Sequence, residues 1–144
     1  MTNIQRLHDF LISHANEELL TSHKEMILEL STPIIPVTSK VGILPLVGDI
    51  DTYRARIIRE TTLTRSNKLK LEYLIIDLSG VPYMDTMVAN ELFQINKALS
   101  LLGISTVITG ISPTIAQTTI QLGLDFRNIS TYSSLQQALP IIMG

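Results

Sequence analysis

The chain contains no cysteine and no tryptophan. The missing thiols exclude disulfides, zinc–thiolate centres, thiol catalysis and redox switching together, and they suit a cytoplasmic location. Aromatic residues amount to 5% against 45% apolar residues, so aliphatic side chains must build the core. No apolar run approaches the roughly eighteen residues of a membrane span, and the start Met1-Thr2-Asn3-Ile4-Gln5 has neither the basic stretch nor the apolar core of a signal peptide. Charge is scarce in one half: the last 59 residues, from Thr86 onward, carry only Glu91, Lys97, Asp125 and Arg127. A surface that poor in charge predicts cover by other protein. The net charge of −2 argues against nucleic acid as a partner. No strand-like segment runs into a glycine-rich phosphate loop, since Gly110-Ile111-Ser112-Pro113 has a single glycine. His8, His14 and His23 do not converge on one helical face, which leaves no metal set and no cofactor site.

What is present is an alternation of strand and helix patterns. At 144 residues the chain fits one domain. Ile4, Leu7, Leu11 and Ala15, then Met26, Ile27 and Leu30, give an interrupted helical rhythm. A lone helix exposing that stripe needs a partner, either its copy in a second subunit or its own domain. Pro33 and Pro36 impose extended backbone on Ile34-Ile35. Val41–Val47 reads as a strand, and its Pro45 points to an edge or a bulge. Asp51 or Thr52 opens a helix to about Asn67 that carries Ile57, Ile58 and Leu63. Arg54, Arg56, Arg59, Arg65, Lys68 and Lys70 put six of the eleven basic residues in this region, as a solvated helix face or a binding patch. Leu71–Asp77 is too apolar for a strand with one wet face, so it is predicted to be central. From Thr86, Val88, Leu92, Ile95, Leu99 and Leu102 form one apolar helix face that ends at Gly103. Ile104–Thr109 is a third strong strand, and Pro113 suits the first position of the next helix. An extended piece near Asn128-Ile129 and a helix from about Ser133 to Leu139 close the chain. The result is an α/β domain: a four- to five-stranded mixed sheet with helices mainly on one face.

The informative passage is Asp77-Leu78-Ser79-Gly80-Val81-Pro82-Tyr83-Met84-Asp85-Thr86. An apolar strand enters an aspartate and a Ser-Gly turn, and a threonine follows Asp85 at the mouth of the amphipathic helix. A hydroxyl there, beside unpaired N–H groups and the positive helix end, can accept and hold a phosphoryl group. No histidine or lysine stands near it in sequence to make it a catalytic nucleophile. The passage therefore reads as a regulated surface with no catalytic residue. Thr86 has an ordinary alternative as an N-cap. Asp85 is an alternative cap, Asp77 can be structural at a strand end, and Ser79 and Gly80 are turn residues. Met84 and Met87 bracket the threonine as packing groups.

This passage resembles the phosphorylation signature of the STAS domain family, and more narrowly the C-terminal domain of RsbR-type stressosome proteins. Glu29–Val37, Leu44–Thr52 and Pro113–Thr118 point the same way, and the match runs from about Glu29 to near the C-terminus. The resemblance implies a STAS (SpoIIAA-like) fold over residues 29–144, preceded by a linker or dimerisation helix over 1–28. It implies a non-enzymatic protein that forms homodimers, co-assembles with a scaffold STAS protein and holds a serine/threonine switch kinase, acting in a stress-response cascade. The alternative within the family is a simple anti-sigma-factor antagonist that binds an anti-sigma kinase. The family's phosphoacceptors fall on Thr86 and on Thr118, which Thr119 adjoins. RsbR-type proteins carry a sensory N-terminal domain, whereas only residues 1–28 precede the match here. Either the sensor lies outside this chain or the protein is a short paralogue.

Overall fold

Two prolines and a tight turn shape the first pair of strands. The computed structural model describes residues 33–123 and 129–143. Residues 1–28, with the linker-helix expectation and the three histidines, lie outside the described residues. β1 (Ile35–Pro36) pairs antiparallel with β2 (Val41–Val47), with Ile35 opposite Ile43 and Pro36 opposite Gly42. Thr38 holds the turn by accepting at Oγ1 from the backbone N–H of Lys40 and Val41, at 3.1 and 3.0 Å. Gly42 is closely covered: a Cβ there would lie 2.8 Å from Leu71 Cδ1, so the Leu71 side chain would have to shift.

Parallel strands follow, each reached through a helix. α1 (Thr52–Leu69) leads from β2 to β3 (Tyr73–Gly80), α2 (Thr86–Leu101) to β4 (Ser105–Thr109), and α3 (Pro113–Gln121) towards β5 (Ser130–Tyr132). The sheet order is β1-β2-β3-β4-β5, with every pair after the first parallel. β3 is central, as its run of apolar residues predicts. Leu74, Ile75 and Ile76 are fully buried because both sheet faces are covered. β2 is internal, so Pro45 marks a bulge and no edge: the register with β3 shifts between Pro45 and Val47.

The larger core lies on one face, where α1, α2 and α3 pack, and includes Leu44, Leu74, Ile76, Ile95, Leu99 and Ile115. α4 (Leu135–Met143) lies on the opposite face, where Ala138 packs with Val41, Ile75 and Val107. Three of the four described helices thus share a face. Val88, Leu92, Ile95 and Leu99 are buried as the spacing predicts. Leu102 is not: the helix ends at Leu101, Leu102 is its exposed C-cap, and Gly103 follows with φ +79°. α1 departs further from its pattern, since Ile57 and Leu63 are half-buried while Thr61, Thr62 and Ser66 join Ala55 and Ile58 on the inner face. The basic residues of α1 are partly structural. Arg59 Nη1 donates to Glu91 Oε2 of α2 at 2.8 Å, and Arg54 Nη1 donates to the carbonyls of Val47 and Asp49 at 2.9 and 3.0 Å.

Candidate functional site

Parallel strands carry their following helices from the same end of the sheet, so α2 and α3 both begin at the C-terminal edge of β3 and β4. Loops at such an edge are where α/β sheets present ligand-facing groups. The loop from β3 to α2 is anchored by two buried side chains, Val81 and Met84. The Val81 N–H also closes a turn onto the Leu78 carbonyl at 3.0 Å. Between these anchors Pro82 and Tyr83 face outward.

Asp85 caps α2. Its backbone is extended, with φ −83° and ψ 174°, and its Oδ1 accepts from the Val88 N–H at 2.9 Å. Thr86 is therefore the first helical residue and not the cap, which sets aside the ordinary reading of this threonine. Its side chain is exposed, and no hydrogen bond among the described residues engages its hydroxyl. Tyr83 and Met87, 60% and 54% exposed, flank it. The site is a hydroxyl at a positive helix end, set in an apolar rim.

Asp77 is drawn inward instead. Its Oδ1 accepts from Thr109 Oγ1 at 2.7 Å, and its Oδ2 accepts from Ser79 Oγ at 2.5 Å. Thr109 stands opposite Asp77 in the β3–β4 register and is fully buried. Next to it Gly110 has φ +74°, and a Cβ there would sit 2.6 Å from Ser79 N and 3.0 Å from Asp77 Oδ1. Ser79 and Gly80 are not turn residues: the strand runs past Asp77 to Gly80, because Gly80 still pairs with Val47 beyond the bulge in β2, and Gly80 is fixed by close approach to that strand. Its carbonyl accepts from the Gly48 N–H at 2.9 Å, and a Cβ would lie 3.1 Å from the Leu46 carbonyl oxygen. Thr109 and Gly110 belong to this cluster without any local signal in the sequence, because only the pairing register brings them to Asp77.

Thr118 lies on α3, on a different element from Thr86. It is half-buried and its Oγ1 donates to the Thr114 carbonyl at 3.0 Å. Thr119 makes the same bond to Ile115 at 2.9 Å and lines an apolar cavity of about 220 Å³ with Leu78, Met84, Leu92, Ile111 and Ile115. Thr118 is thus the more outward of the two hydroxyls. Among the described residues no group of three histidine, aspartate or glutamate side chains could hold a metal, and no helix is long and apolar enough to cross a membrane.

The STAS domain model matches residues 32–138, and the chain belongs to the STAS domain family. It is 57% identical over 120 residues to the RsbT co-antagonist protein RsbRD of Bacillus subtilis, covering 83% of this chain and 43% of that protein. The chain thus spans less than half the length of that relative. Among solved structures, a variant of RsbS from Moorella thermoacetica superposes with a TM-score of 0.69 at 28% identity, covering 78% of this chain and 94% of that one. A chain from the molecular architecture of the stressosome gives 0.65 at 28% identity, over 77% of this chain and 96% of that one.

Proposed function

We propose that this chain is a non-enzymatic stressosome component that binds a scaffold STAS protein and a serine/threonine switch kinase, and that phosphorylation of Thr86 regulates the binding. The observation that carries this reading is the division of labour at the start of α2. Asp85 caps the helix and Thr86 is left exposed beside it. The exposed Tyr83 and Met87 give a partner apolar area to cover. Similarity to the RsbT co-antagonist RsbRD supports the assignment to this branch of the family.

A phosphate on Thr86 brings about −1.5 to −2 charges to this rim. Covering that charge without a cation is costly. Arg59 is committed to Glu91 and Arg54 to two carbonyls. Lys97 lies about three helical turns away, over the Phe93 ring at 4.7 Å. Phosphorylation of Thr86 therefore weakens a partner seated on the rim and assists kinase release, while modification of Thr118 tunes or limits the output. Residues 29–144 act as the STAS domain, residues 1–28 pair two copies, and the protein works in the cytoplasm without nucleic acid or membrane as a partner.

The test is incubation with the cognate switch kinase and ATP, followed by site mapping by mass spectrometry. Label on Thr86 is expected. Absence of label there, or unchanged labelling of a folded Thr86→Ala protein, sinks the reading.

A further inference from the structure

We propose that Asp77 is a positioning residue that ties the loop carrying Thr86 to the loop that opens α3, so that the Thr86 and Thr118 regions respond as one surface; this rests on the reading of both threonines as acceptors. The tie has two arms. Ser79 Oγ, two residues further along β3 and next to the loop that leads to Thr86, donates to Oδ2, and Thr109 Oγ1, at the end of β4, donates to Oδ1. One carboxylate thereby holds the exits of two adjacent strands. Charge-assisted hydrogen bonds of this kind are shorter and about twice as strong as neutral ones.

The backbones also approach closely. Gly110 directly follows Thr109, and a Cβ there would lie 2.6 Å from Ser79 N, so no side chain separates the two segments. Two residues further on, Ser112 caps α3 by accepting from the Ile115 N–H at 3.2 Å. The path from the Thr86 loop to α3 thus runs Ser79, Asp77, Thr109, Gly110, Ser112.

The other route between these loops is apolar: Leu78, Met84 and Ile115 share one buried cluster, with Ile111 packed against it, and border a cavity of about 220 Å³. The polar tie adds the fixed, directional contact between the two strand ends. A negative charge at Thr86 sits next to the Asp85 carboxylate that caps α2, and repulsion there displaces the loop from its helix end. The displacement reaches α3 through Asp77.

The experiment needs no kinase. In the full ¹⁵N-labelled chain, Thr86→Glu is expected to shift the backbone amide resonances of Gly110, Ile111 and Ser112. The same substitution in a Thr109→Val background, which cuts one arm while keeping side-chain shape, is expected to lose those shifts and keep the shifts at residues 83–88. Asp77→Asn, whose Oδ1 still accepts from Thr109 Oγ1 and whose Nδ2 can donate to Ser79 Oγ, keeps both arms and is expected to retain them. If Thr109→Val impairs folding, Ser79→Ala cuts the exposed arm instead, with the same loss expected. Shifts at Gly110–Ser112 that persist undiminished in the cut variant, or that are absent in the parent, overturn the proposal. Failure of Thr86 to be labelled by a kinase would sink the functional reading and leave this measurement intact.

Discussion

Replacing Asp85 by alanine removes the acceptor that holds the Val88 N–H at 2.9 Å. Loss of an N-cap costs about 1 kcal/mol, within a range of roughly 0.5–2. The lost carboxylate also removes a favourable charge at the helix end, about 0.3–1 kcal/mol for an exposed group. These figures assume that nothing replaces the cap, but Thr86 stands one position on and carries a hydroxyl of the capping kind. A helix shortened by one residue can use it. Asp85→Ala alone is therefore expected to cost about 1 kcal/mol, at the low end of the combined figure. Thr86→Ala alone should change stability by less than about 0.5 kcal/mol, as for a surface residue without a bond. The double variant, with no cap left, should lose about 2 kcal/mol, a coupling of roughly 0.5–1 kcal/mol in the cycle. Urea unfolding followed by circular dichroism, with equal m-values, reads all three. Phosphorylation adds a second readout: in Asp85→Ala the Thr86 hydroxyl becomes engaged, so labelling by the switch kinase should slow. An additive cycle would refute the idea that Thr86 can step into the cap, and an unchanged Asp85→Ala protein would refute the cap's contribution altogether.

Truncating Leu99, fully buried against the sheet, to alanine should cost about 2–5 kcal/mol in the same unfolding experiment, whereas Leu102→Ala, at an exposed C-cap, should stay within about 0.5 kcal/mol. Gly110→Ala demands a positive φ of an alanine and a Cβ 2.6 Å from Ser79 N, so it should destabilise by more than about 1 kcal/mol and shift the Ser79 amide resonance. Deletion of residues 1–28 should weaken dimers seen by sedimentation; a monomer that the deletion does not affect would show that this segment serves its own domain.

Much of this architecture can be read where one residue type has a single physical use. A central strand shows itself as Leu74-Ile75-Ile76 because burial on both faces abolishes alternation. Pro113 marks the start of α3, whereas Pro45 leaves edge and bulge open until the strand pairing shows the bulge. The apolar stripe of α2 is legible up to Leu99 and fails at Leu102, since spacing cannot say in which turn a helix unwinds. On α1 the inner face holds Thr61, Thr62 and Ser66, residues that composition assigns to solvent. At the candidate site, Asp85 and Thr86 are both visible as cap-type residues, but which of them caps depends on backbone geometry. Asp77 is visible and its partner is not: Thr109 is 32 residues away, and the register of two parallel strands brings them together.

The sheet's rims bear on how such a domain can be gathered into a larger body. Among the described residues, one rim is β1, two residues long with Pro36 in it, and the other is β5, three residues long. Proline offers no N–H for a further strand, and so short a row of free donors and acceptors makes a poor template for another chain. Lateral continuation of the sheet from copy to copy, the route to open-ended filaments, is disfavoured at both ends. Assembly is left to helices, loops and sheet faces, contacts whose geometry can close on itself and fix the number of subunits.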